Sequence, residues 1–418
     1  MAATLTTRAA GSSDVGRKRD RNEDSFLVDE ELGLYVVSDG MGGHAAGEVA
    51  SQATVAAVQA YVAEHRETIE AVRHGEEPPE ALRRLADGAA KAACREVYAL
   101  ARQSLGRTGM GATLTLVISA GPFAALGHIG DSRLYLLRDG TVDQLTFDHT
   151  IASEMLRSGL IDEEELERSP YKHVLSRACG TQPQVSVDSL LFEIFPGDRL
   201  LLCSDGYSNY LEDPTSLVDA LAGEEPAEVA AALVAFANEA GGKDNITAVV
   251  VEVRGDHPHA ARAALLAERQ DALRAVFLFE HLELPLLTRV MNVCDVEVYE
   301  AGETVMAEGA VCHELLVVLD GVLALARGGE SLGQIESGEH VGASTLVEAR
   351  PARASLTAVE ASRVLRLRGR AFAQISRDRP WLGIGLLERL GSTLSEALDR
   401  SWKQRQGQAI DGPTGERL

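Results

Sequence analysis

A chain of 418 residues, 45% hydrophobic and 25% charged, can bury real cores, and its length calls for two or three domains. A formal charge of −23 excludes nucleic acid and anionic membrane as main partners, because both need basic surface. No uncharged apolar run approaches a membrane span, and the N-terminus lacks the apolar core of a secretory signal. The five cysteines (Cys94, Cys179, Cys203, Cys294, Cys312) show no C-x-x-C spacing. This pattern predicts a cytoplasmic protein in a reducing compartment rather than a disulfide framework.

From Ser25 to Val253 short apolar strands mix with longer Ala-rich helical segments. "LGLYVVSD", "ATLTLVIS", "FAALGHIGD", "SRLYLLRDGTVDQLT", "RLLLCSD" and "NITAVVVEV" read as strands. "GEVASQATVAAVQAYVAEHRETIEAV", "PPEALRRLADGAAKAACREVYALARQ" and "PAEVAAALVAFANEA" read as amphipathic helices. Several strands follow one another without a helix between them, which favours antiparallel sheets with helices outside over a doubly wound parallel sheet. The more polar stretch 147–196, with its acidic "IDEEELER", reads as an insertion or flap, or equally as a plain surface helix. A polar, His- and Pro-containing joint places a boundary between 256 and 269. The expected organisation is a domain at 7–254, a linker helix at 255–274, a domain at 275–400 and a disordered tail at 401–418. Many short strands separated by glycine turns over 295–368 predict a small β-barrel or jelly roll, followed by helix from about 370 to 403.

Asp-Gly occurs six times, which provides an internal control. Asp139-Gly140 and Asp320-Gly321 each lie between two apolar runs, so both are expected to be hairpin turns. Asp87-Gly88 falls in a helical segment and Asp411-Gly412 in the tail. "LYVVSDG" and "LLLCSDG" differ, because an apolar run ends in Ser-Asp-Gly and no strand returns at once. Asp39 and Asp205 are thus carboxylates delivered at strand ends, with glycines that let an ion approach the backbone. Helix capping or loop chemistry is the competing reading of each. Three further stretches add acidic residues: "RDRNEDS" (Glu23, Asp24), "GHIGDSR" (Asp131) and "GGKDNIT" (Asp244).

The ordered series "RDRNEDS", "SDGMGGHAAGE", "GMGATLT", "GHIGDSRLYLLRDG", "QLTFDHT", "LLLCSDG" and "GGKDNIT" resembles the metal-dependent (PPM, type 2C) protein serine/threonine phosphatases of the bacterial type over roughly the first 253 residues. Any one motif is weak; seven in order are specific. The resemblance implies an α+β fold: a four-layer α-β-β-α sandwich of two antiparallel sheets flanked by helices, with a metal centre at one edge. Asp39 would bridge two Mn²⁺ or Mg²⁺ ions, Gly40 would offer its carbonyl, and Asp205 and Asp244 would hold the second ion. Glu23 and Asp24 would sit around the site through water, Asp131 would hold a weaker third ion, and Arg19 would grip the substrate phosphate with its planar fork. All-oxygen ligation points to these hard cations rather than zinc. The implied function is hydrolysis of phosphoserine and phosphothreonine proteins by a metal-activated water, with no Cys or Ser nucleophile. Met41 stands where animal-type members carry a proposed general-acid His, as in bacterial members, and His44 is the nearest histidine.

The second domain resembles the cyclic-nucleotide-binding fold over about a hundred residues. Gly342-Ala343 stands where that family has Gly-Glu, and Pro351-Ala352-Arg353 where Arg directly follows Pro. A shift of one residue along a strand turns a side chain to the other face, and loss of a carboxylate partner for a buried hydroxyl weakens binding. Gly342 and Arg353 are the candidate ligand positions. The favoured expectation is a regulatory or docking module that takes a protein partner or an altered ligand. The alternatives are a cyclic-nucleotide-gated phosphatase and a catalytically silent phosphoprotein-binding scaffold; a silent protein would be expected to lack a metal Asp, and this chain lacks none.

Overall fold

The structure is a computed structural model that describes residues 5–42, 46–103, 109–255 and 260–405. The chain divides into two compact units, Met1–Ala260 and Ala261–Leu418.

The strands of the first unit are β1 (Thr6–Asp14), β2 (Asp24–Asp29), β3 (Leu34–Met41), β4 (Gly111–Ala112), β5 (Leu114–Ala120), β6 (Phe123–Ile129), β7 (Arg133–Arg138), β8 (Thr141–Gln144), β9 (Asp188–Glu193), β10 (Arg199–Cys203) and β11 (Ile246–Arg254). Its helices are α1 (Ala46–Glu64), α2 (Arg66–Arg73), α3 (Glu80–Ala101), α4 (Ile151–Arg157), α5 (Glu163–Arg168), α6 (Asp205–Ser208), α7 (Leu217–Ala220) and α8 (Pro226–Glu239). One antiparallel sheet runs β1-β11-β10-β7-β8 and the other β2-β3-β5-β6-β9, with β4 paired to β3. Leu34, Val36, Leu114, Leu116 and Ile118 pack one sheet against α1, α2 and α3. Tyr135, Leu201, Ala248 and Val250 pack the other against α7 and α8. The opposite faces of the same strands, with Tyr35, Val37, Leu200, Leu202 and Val249, are also buried. Strands covered on both faces read as continuous apolar runs rather than alternating ones. The layers are therefore α-β-β-α, as the sequence led one to expect.

Two elements depart from the sequence reading. β1 was not anticipated; its Thr, Ala, Gly and Ser residues lack alternation because it is an edge strand, half-buried from Thr7 to Asp14 and paired only to β11. The stretch 147–196 is not solely an insertion, because β9 lies within it and closes the edge of a sheet against β6. "IDEEELER" is a surface helix, α5, with no buried residue and a capping box between Asp162 and Glu165.

In the second unit α9 (Ala260–Arg274) and α10 (Leu284–Met291) precede β12 (Asp295–Tyr299), β13 (Thr304–Met306), β14 (Val311–Cys312), β15 (Glu314–Asp320), β16 (Val322–Arg327), β17 (Glu330–Glu336), β18 (His340–Val341), β19 (Arg350–Pro351), β20 (Ser355–Ala358) and β21 (Ser362–Arg368). Two four-stranded sheets, β12-β21-β15-β18 and β13-β20-β16-β17, share one apolar core as a jelly roll rather than a closed barrel. Asp139-Gly140 is the expected hairpin turn, with both residues at positive φ. Asp320-Gly321 is not: β15 and β16 belong to different sheets, and Gly321 (φ 92°) makes the corner between them. Helices α11 (Gly369–Asp378) and α12 (Pro380–Arg405) follow, so helix continues past 400, where the disordered tail was expected to start. Residues 406–418 of that tail lie outside the described residues.

Candidate metal centre

The acidic residues singled out in the sequence gather where the two sheets of the first unit meet. Asp24 and Asp39 are directly opposed in the β2–β3 ladder. Asp205 opens α6 just beyond β10, and Asp244 precedes β11. Asp131 sits between β6 and β7, where the chain crosses from one sheet to the other.

The scaffold holds these residues mostly through their backbones. Thr113 Oγ1 accepts from the Asp39 amide (2.8 Å) and the Thr113 amide donates to the Asp39 carbonyl (2.8 Å). The same Thr113 hydroxyl lies 2.7 Å from Ser132 Oγ, beside Asp131. Asn245 staples the segment before β2 to the start of β11: its Oδ1 accepts from the Glu23 amide, and its Nδ2 donates to the carbonyls of Val15 and Arg21. Glycine is required at Gly40, where a Cβ would stand 2.1 Å from the Gly47 carbonyl oxygen and 2.6 Å from that of Glu23. The Gly40 amide donates to this Glu23 carbonyl.

The carboxyl oxygens themselves are sparsely used. Asp24 Oδ2 accepts from Ser204 Oγ (2.8 Å) and Thr247 Oγ1 (2.6 Å), whereas Oδ1 is buried without a partner. Asp205 Oδ2 accepts from Asn209, and its Oδ1 is likewise buried and unpartnered. Desolvation, with the neighbouring carboxylates, pushes Asp24 up to about 7. Loss of solvent, then Asp24, Asp205, Asp131 and Asp244, raises Asp39 well above the carboxylate range. Asp131 is raised by burial and then by Asp205 and Asp148. Asp205 is raised by desolvation and by Asp244, a rise opposed by Asp39, close enough to share a proton, and by His173. Desolvation also raises Glu23. A set of carboxylates this crowded lacks countercharge. Arg19 supplies part of it, with Nη2 2.7 Å from Asp244 Oδ2, and remains half exposed.

These features fit divalent cations held by oxygen. Among the described residues no three His, Cys, Asp or Glu side chains close into a cage for one ion. Met41 ends β3 with its methyl group against Gly111, and His44 lies outside the described residues. Sequence reasoning missed Thr113, Ser132, Ser204, Asn245 and Thr247. All five stand inside or beside the quoted motifs, but hydroxyls and amides that bind backbone or neighbouring side chains carry no periodicity.

In the second unit Gly342 takes a left-handed φ of 89°, and a Cβ there would meet the Glu314 carbonyl at 2.3 Å. Ala343 and Ala352 are buried, whereas Arg353 is exposed to solvent.

A family profile described as Protein phosphatase 2C matches residues 15–236, and one described as Cyclic nucleotide-binding domain matches residues 296–379. The chain is 40% identical over 250 residues to the serine/threonine protein phosphatase PstP of Mycobacterium tuberculosis, covering 60% of this chain and 46% of that relative. It thus spans about half the length of that protein. It is 37% identical over 244 residues to the serine/threonine phosphatase stp of Listeria welshimeri, covering 57% of this chain and 93% of the relative. The solved PstP catalytic domain in complex with two manganese ions aligns with a TM-score of 0.52 at 39% identity, over 60% of this chain and all of that one.

Proposed function

Since the chain belongs to the protein phosphatase 2C family, we propose that it hydrolyses phosphoserine and phosphothreonine in proteins with Mn²⁺ or Mg²⁺, and that the carboxylates at the sheet edge hold the ions. The observation that carries this reading is the convergence of Asp24, Asp39, Asp131 and Asp205, whose proton affinities are raised, with Asp244 beside them, and the buried, unpartnered Oδ1 atoms of Asp24 and Asp205. Asp39, Asp205 and Asp244 would ligate two cations with the Gly40 carbonyl. Glu23 and Asp24 would support them from around the site, and Asp131 would hold a third. Bound cations neutralise phosphoester charge and supply a nucleophilic water near neutral pH. Arg19, whose fork is bonded to Asp244 on one side and open to solvent on the other, would orient two phosphate oxygens. Five free thiols agree with a cytoplasmic setting, and no described helix is long and apolar enough to cross a membrane.

Purified protein should dephosphorylate a phosphothreonine peptide only with added Mn²⁺ or Mg²⁺, and Asp39→Asn or Asp205→Asn should abolish turnover. Turnover that survives excess EDTA would overturn the reading. Peptide binding without turnover at saturating Mn²⁺ would support the scaffold alternative instead. For the second unit we propose a docking or regulatory role without tight cyclic-nucleotide binding, supported by the buried Ala343 and Ala352 and the outward Arg353.

A further inference from the structure

Asp131 is flanked on one side by Ser132, tied to Thr113 as described. Its other neighbour, Gly130, is held by a histidine outside the proposed ligand set. The His149 amide donates to the Gly130 carbonyl (2.7 Å), and the Gly130 amide donates to His149 Nδ1 (3.1 Å). Gly130 has φ 107°, and a Cβ there would lie 2.7 Å from the Thr113 side chain, so only glycine fits this link. An amide can only donate, so Nδ1 carries no proton and Nε2 carries it. Nε2 lies 3.2 Å from Asp188 Oδ2, with Arg177 Nη1 3.3 Å away. The His149 side chain is 1% exposed. The chain around it is strapped to the segment 174–176: Ser176 donates its amide to the His149 carbonyl, Ile151 to that of Val174, and Ser176 Oγ bonds Glu154.

A histidine that accepts one backbone amide, spends its other nitrogen on a carboxylate and touches no substrate is arranged like the outer-shell groups that orient metal ligands. We infer that His149 is a positioning residue for Asp131: it grips both backbone groups of Gly130, aims the Asp131 carboxylate at the most weakly held cation, and links that aim to β9 through Asp188 and to the segment 174–176 through Ser176. The inference rests on the reading that Asp131 ligates a cation.

The test is calorimetric titration of the metal-free full chain with Mn²⁺, alongside the Mn²⁺ dependence of phosphopeptide turnover. His149→Leu removes the acceptor. It should keep the two tight ions, lose the weaker third event, and raise the Mn²⁺ needed for half-maximal turnover roughly tenfold or more. His149→Asn keeps an acceptor near the Nδ1 position and should largely restore the third event, a rescue that a packing role would not give. Should His149→Leu fail to fold, His149→Phe, which keeps a planar ring and has no acceptor, takes its place with the same expectation. A wild-type third event in the acceptor-free variant overturns the inference, as does equal loss in His149→Asn. Asp131→Asn is the control: if it titrates like wild type, the ligand reading of Asp131 fails and the inference falls with it.

Discussion

His128 makes the first unit acid-labile in a calculable way. Its ring is fully buried, with Nδ1 facing Thr115 Oγ1 at 3.0 Å, Nε2 facing the Phe147 carbonyl at 3.1 Å, and His149 at 4.7 Å between centroids. Burial, then the neighbouring His149, pushes it from 6.5 down to about 3; Asp188 and the Phe147 carbonyl oppose the shift, and Arg177 adds to it. Below pH 6.5 the unfolded chain takes up a proton that the folded chain refuses, so stability falls as pH drops and the loss is complete near pH 3. Each pKa unit is worth about 1.4 kcal/mol, so the full loss is about 5 kcal/mol, of which about 2 kcal/mol falls between pH 7 and pH 5. That is a large part of a domain's usual 5–15 kcal/mol. His128→Gln keeps hydrogen-bonding groups and removes the titration. Denaturant unfolding of the metal-free protein at pH 7, 6 and 5, followed by far-UV circular dichroism, should show wild type losing about 2 kcal/mol more than the variant. The acidic residues at the sheet edge change stability in the opposite direction but cancel in the comparison. Both tryptophans, Trp381 and Trp402, lie in the second unit, so their fluorescence serves as an internal control. Identical pH slopes for wild type and variant would refute the reasoning.

Gly40→Ala places a methyl group against the Gly47 and Glu23 carbonyls, neither of which can rotate away. Overpacking of this kind should cost about 3 kcal/mol, a fall of roughly 6–12 °C in Tm by circular dichroism, and an unchanged midpoint would contradict it. In the second unit Arg366 bonds Glu314 and the Tyr299 hydroxyl (2.9 Å) and pairs with Glu297. Arg366→Ala leaves two carboxylates facing each other. Because Glu297 is about a third exposed, the cost should be about 2–3 kcal/mol rather than that of a fully buried pair, read by tryptophan fluorescence during unfolding. Calorimetric titration with cAMP or cGMP should give no heat up to high micromolar nucleotide, and a saturable isotherm would restore the gated-phosphatase alternative.

Much of the first unit was legible because its strands are buried on both faces and its acidic residues follow apolar runs directly. What distinguished Asp39 and Asp205 from turn aspartates was that no strand returns, and that contrast separates Asp139 correctly. It misassigned Asp320, because a corner between two sheets and a hairpin present the same local string of apolar run, Asp-Gly and apolar run; only the pairing partners differ, and these are set by β18, β21, β17 and β20 at a distance in sequence. β1 was missed for the opposite reason: an edge strand of small polar residues has no pattern of its own and takes its conformation from β11. His149 stood in the quoted "QLTFDHT", but its partner Gly130 is 19 residues away, and no spacing rule connects a ring nitrogen to a backbone amide across the β7–β8 hairpin.

The placement of hydrogen bonds explains why a self-repelling cluster folds in one arrangement. Thr113 holds the backbone of Asp39, Asn245 that of Glu23, and His149 that of Gly130; Asp24 and Asp205 each spend one oxygen on neutral donors and keep the other open. Anchoring through the main chain fixes where the carboxylates sit without occupying their lone pairs, and the unpartnered Oδ1 atoms of Asp24 and Asp205 result. Had the same residues been fixed by side-chain ion pairs, each cation would have had to displace a partner before binding. Arg19 on Asp244 is the exception, and it is half exposed, so its release to solvent or to a phosphate is inexpensive. If the edge holds cations as proposed, their binding would offset this self-repulsion. Cations that bind the folded chain alone would add about 2.7 kcal/mol per site at a hundredfold excess over Kd, which would tie the stability of this unit to its metal supply.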